Sequence, residues 1–89
     1  MVLFIVERDF AEALELDADG AAGIVAVNDE VGVRWVYSFL SADKRKSYCL
    51  YEAESEAAII EAARRSNVPA DVIVRVDQVL PEALGADRP

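Results

Sequence analysis

Along the chain the spacing of apolar positions switches between a period of two and a period near 3.6, and these switches divide it into six elements. Residues 1–7 (MVLFIVE) are apolar on both alternating sets, Val2, Phe4 and Val6 on one and Leu3 and Ile5 on the other. That pattern predicts a central strand covered on both faces. Residues 8–16 place Phe10 and Leu14 among acidic residues and read as a connection packed by a few apolar anchors. Asp17 or Asp19 can cap a helix running to about Glu30, with Ala21, Ile24, Val27 and Val31 as its apolar stripe. Gly20 and Gly23 each weaken an isolated helix by about 1 kcal/mol relative to alanine, so the sheet must hold this segment and the glycines predict close packing.

Residues 31–40 alternate, with Val31, Val33, Trp35, Tyr37 and Phe39 in one set. The spacing predicts a strand with one aromatic face. Residues 41–45 are a polar turn, and residues 46–53, rich in tyrosine, cysteine and leucine, are the partner strand of a hairpin. A second helix starts at Ser55, whose hydroxyl can accept a backbone N–H, followed by Glu56 at the positive end of the dipole. Its stripe is Ala58, Ile59, Ala62 and Ala63, with Ile60 at the border. Arg64 and Arg65 suit its last turn, Asn67 suits a left-handed cap, and Pro69 prevents continuation. Val72, Val74 and Val76 mark a last strand that Pro81 ends. Residues 1–80 thus read as one domain and residues 81–89 as a mobile tail.

Strand, helix, strand, strand, helix, strand, joined by short connections and right-handed crossovers, predicts an α+β fold. It is a ferredoxin-like βαββαβ sandwich with a four-stranded antiparallel sheet in the order 4-1-3-2 and both helices on one face. The opposite face is then bare, although the strands are apolar there. Monomeric soluble proteins rarely expose contiguous apolar patches of more than a few hundred Å². The expectation is a homodimer through the sheet face, or a ligand roofing it.

Composition narrows the chemistry. The 89 residues suffice for one core, and the formal net charge of −8 disfavours nucleic acid and membrane surfaces as partners. Lys44, Arg45 and Lys46 concentrate positive charge and read as a solvated hairpin end. No apolar run approaches a bilayer span, residues 1–6 lack the basic flank of a signal peptide, and Cys49 is the sole cysteine, so the expected location is cytoplasmic. Histidine is absent, which excludes Ser-His-Asp and Cys-His catalysis and imidazole metal sites.

If residues 41–45 form the hairpin loop, Leu40 faces Lys46, and the same register sets Tyr37 opposite Cys49 and Trp35 opposite Tyr51. Trp35, Tyr37, Cys49 and Tyr51 would then share one face, as an aromatic pocket floored by a thiol and two phenols or simply as a packed aromatic core. Cys49 lacks an adjacent base and reads as a buried small hydrophobe. Glu7, at the end of the first strand and followed by Arg8, is either a salt-bridged rim residue or an inward carboxylate.

The stretches FIVERDF (residues 4–10), GVRWVYSFLSADKRKSYCLYEA (32–53) and SEAAIIEAARRSNVPADVIVRV (55–76) resemble a small bacterial domain-of-unknown-function family that includes nickel-responsive, nickel-binding proteins. The resemblance implies a ferredoxin-like dimer and, in some members, nickel as the cofactor. Members commonly read W-V-H-S where this chain has Trp35, Val36, Tyr37 and Ser38, so a phenol replaces the imidazole. Nickel(II) prefers nitrogen and sulfur donors, which Cys49 with tyrosines and carboxylates supplies poorly. The functional expectation is a small non-enzymatic binding protein, with Trp35, Tyr37, Cys49, Tyr51 and Glu7 as ligand-binding candidates. A protein–protein interaction or regulatory module is the alternative, followed by a small dimeric cofactor-free enzyme with an aromatic pocket.

Overall fold

The computed structural model describes residues 1–85. Its elements are β1 (Val2–Asp9), α1 (Ala18–Glu30), β2 (Arg34–Leu40), β3 (Lys46–Ala53), α2 (Glu56–Ser66), β4 (Val72–Val76) and a 3₁₀ turn at Pro81–Leu84. The strands form one antiparallel sheet in the order β2-β3-β1-β4, the ferredoxin-like arrangement that the hydrophobic pattern predicts. Part of the segment expected to be a tail is thus the 3₁₀ turn, and the rest of that expectation, residues 86–89, lies outside the described residues.

β1 is central because both of its faces are apolar. Phe4 and Val6 enter the core against Tyr51, Cys49 and Ile59, while Leu3 and Ile5 lie on the face away from the helices. Asp17 caps α1 through its Oδ1, which accepts from the Gly20 amide at 2.8 Å. At Gly20 an added Cβ would lie 2.9 Å from Leu16 Cδ1, so this glycine does serve close packing. Gly23 has open space around it, so for that position the close-packing expectation is corrected. Ser55 caps α2 by accepting from the Ala58 amide at 3.3 Å, and Asn67 takes the left-handed cap with φ 54°. Of the two neighbouring isoleucines on α2, Ile59 is 1% exposed and Ile60 is 52% exposed.

The second strand is shorter than its alternation suggests. It begins at Arg34, because the Val31 and Val33 amides both bond to the Asn28 carbonyl and close the end of α1. The hairpin register also differs from expectation. Leu40 pairs with Ser47 rather than Lys46, and Tyr37 pairs with Leu50 rather than Cys49, while Trp35 does pair with Tyr51. The cause is a β-bulge between Trp35 and Tyr37, where Val36 is the extra residue. A bulge inverts the alternation that follows it. Trp35 therefore stays on the helix side while Tyr37 and Phe39 turn to the other face, where their rings meet edge to face at 5.5 Å.

Candidate functional site

Two loops and the helix face of the sheet line a half-open cavity of about 420 Å³. Its walls are Phe10, Leu14 and Leu16 from the β1–α1 connection, Ile24 from α1, and Trp35 and Leu40 from β2. Its polar groups come from Arg8, Ser38, Ser47 and Cys49, with Glu15 and Lys44 exposed on the loops. The loops are tied together. The Phe10 amide donates to the Arg45 carbonyl at 2.8 Å, the Leu14 amide to the Lys44 carbonyl at 2.7 Å, and the Arg45 guanidinium to the Ala11 carbonyl at 3.0 Å. The hairpin end is itself braced by Asp43, which accepts from the Ser41 hydroxyl at 2.7 Å and from the Arg45 amide at 3.0 Å. These bonds, the Ser41 hydroxyl first, hold the Asp43 carboxyl below its ordinary range.

Arg8 is the unexpected member. It is only 6% exposed, because it continues the inward set Val2, Phe4 and Val6 by one more step of two. Its guanidinium donates to the Pro69 carbonyl and, at 3.1 Å, to the Tyr51 hydroxyl, and it lies 5.7 Å from the centroid of the Tyr51 ring. Both acceptors are neutral, and among the described residues no carboxylate lies within ion-pair distance of it. Burial pushes the Tyr51 phenol up from its ordinary value; the nearby Arg8 charge draws it back, and Cys49 adds to the rise. The signal for Arg8 was present in the sequence, as a cation in phase with an apolar stripe, but such a cation is ordinarily read as a salt-bridged strand end.

The expected site residues separate into two groups. Trp35 and Cys49 line the cavity, and Tyr51 stands behind it as the support of Arg8. Trp35 donates its indole N–H to Ser38 Oγ at 2.7 Å, and Cys49 Sγ lies 3.6 Å from Ser47 Oγ. Tyr37 and Glu7 lie on the other face of the sheet. The bulge puts Tyr37 there, and Glu7 is out of phase with the inward set, opposite Tyr48 and Val72. One pocket holding both phenols and the thiol is therefore not what the chain builds.

The chain matches the family described as nickel responsive protein SCO4226-like over residues 4–76. It belongs to that family. A solved relative is similar as well: the crystal structure of SCO4226 from Streptomyces coelicolor A3(2) superposes with a TM-score of 0.75 at 20% identity, covering 88% of this chain and 99% of that one. At that identity the likeness concerns the fold. No curated protein matches the chain. The side chains of this chain suit a nickel ion poorly. The sequence has no histidine, and Cys49 and Tyr37 lie on opposite faces. Among the described residues no group of three or more cysteine, aspartate or glutamate side chains is placed to hold a metal ion. Nor is any helix of the described residues long and apolar enough to cross a membrane.

Proposed function

We propose that this member of the SCO4226-like family is a small non-enzymatic binding protein whose ligand is an organic molecule held in the cavity beneath α1. The observation that carries the reading is the cavity. Its volume of about 420 Å³ falls within the range of small-molecule sites, and apolar walls surround a few converging polar groups. Trp35, the one tryptophan, lines it and serves as an internal reporter. Titration with the neutral dye N-phenyl-1-naphthylamine should quench Trp35 emission and brighten the dye. Leu14→Trp, which fills the cavity from a loop, should abolish the dye response. A wild-type protein that leaves the dye dark overturns the reading. Titration calorimetry with nickel(II) chloride should give no binding heat, and a saturable heat would return the metal to the centre of the function.

A second reading, compatible with the first, concerns assembly: two copies pair through the bare face of the sheet. It is supported by the run of Leu3, Ile5, Tyr37, Phe39, Leu50 and Val74 across all four strands of that face, with Phe39 66% exposed. Glu7, Asp9 and Glu52 also lie on this face, but Asp9 is paired with Lys46 at 3.9 Å and Glu52 with Arg34 at 3.4 Å, which leaves an apolar centre for the contact. Light scattering at micromolar concentration should report twice the mass of the chain; a monomer would remove the pairing.

A further inference from the structure

We propose that the ligand of the cavity is an organic anion, a single carboxylate on an aromatic or aliphatic body, and that Arg8 is the residue its carboxylate meets. The inference rests on the reading of the cavity as a ligand site and names the class of ligand it takes.

A guanidinium stays charged at any pH the fold survives, and it has five donors in a planar fork. Here the fork is buried at the cavity wall, yet among the described residues it meets only the Pro69 carbonyl and the Tyr51 hydroxyl. Neutral acceptors hold the group in place without cancelling its charge. An arginine kept for the fold alone would be better served by a carboxylate, or by a methionine of similar volume. A carboxylate arriving in the cavity finds a fixed fork whose rotamer is already set by its two bonds, so little ordering remains when the pair forms. One buried cation matches one negative charge, which selects a carboxylate over a doubly charged phosphate. Phe10, Ile24 and Trp35 offer the body of the ligand an apolar wall. Lys44 and Glu15, also at the cavity, are exposed and opposite in sign, so water and salt weaken both relative to the buried fork.

The test compares two probes of nearly the same shape, 1-naphthoic acid and 1-naphthamide, by titration calorimetry at neutral pH. Wild-type protein should bind the acid at least about tenfold more tightly than the amide. Arg8→Met should remove that preference while leaving the amide bound, and Arg64→Met, on the exposed side of α2 away from the cavity, should leave it intact. An amide that binds wild type as tightly as the acid overturns the proposal, as does an acid preference that survives Arg8→Met. The wild-type comparison decides the matter even if Arg8→Met does not fold. Binding of the neutral dye without any preference for the acid overturns the anion while leaving the cavity reading standing. Failure of dye, acid and amide together overturns both.

Discussion

Ile59 and Ile60 are neighbours on α2 with the same side chain, and the structure assigns them opposite environments. Ile59 is 1% exposed and packs in the cluster that includes Phe4, Val6 and Tyr51, whereas Ile60 is 52% exposed. Truncating a buried isoleucine to alanine costs about 2–5 kcal/mol, from lost transfer energy and from the cavity left behind. Alanine's better helix propensity returns roughly 0.4 kcal/mol at either position. Ile59→Ala should therefore lose about 2–4.5 kcal/mol, a large share of the roughly 5–15 kcal/mol that holds a domain folded. At about 4–8 °C per kcal/mol for a domain of this size, the thermal midpoint should fall by roughly 8–36 °C. Ile60→Ala forfeits only partial burial and leaves no enclosed void, so its loss should stay within about 1 kcal/mol. Urea unfolding followed by circular dichroism, at one fixed protein concentration, measures both, with equal m-values expected. Equal losses at the two positions, or a larger loss at Ile60, would mean that α2 meets the sheet through a different face, and the assignment of the core would be wrong.

Three further outcomes follow from particular contacts. Ser55→Ala should cost about 1 kcal/mol, read by the same urea titration, because the Ala58 amide loses its acceptor. On the proposed pairing, Phe39→Glu, placing a carboxylate on the β2 edge of the bare face, should convert the dimer to monomer by sedimentation velocity while leaving the far-ultraviolet spectrum unchanged; a persisting dimer would locate the contact elsewhere. Tyr51 has a phenol raised above its unfolded value of 10.0, so its contribution is fully present below pH 10 and is lost as pH climbs toward the folded value. Tyr51→Phe should flatten the alkaline decline of stability beyond pH 10, and an unaltered decline would mean that the phenol ionises as freely in the fold as out of it.

The elements and their order were legible in the sequence because each rests on local chemistry. Two-sided apolarity marks β1, and Asp17, Ser55 and Asn67 mark helix ends through bonds made within a few residues. Once six such elements alternate in this order, chain connectivity leaves few sheets to choose among, and the order β2-β3-β1-β4 follows. Nothing local announces the bulge at Val36. Its alternation is that of an ordinary strand, and only the pairing of β2 with β3 decides which residue is left over. That one residue sends Tyr37 away from Cys49 and so dismantles the pocket that a regular ladder would have built. Arg8 lies beyond the sequence for a different reason. Its phase was visible, but its neutral acceptors and the cavity at its side exist only after two loops and three strands have closed over it.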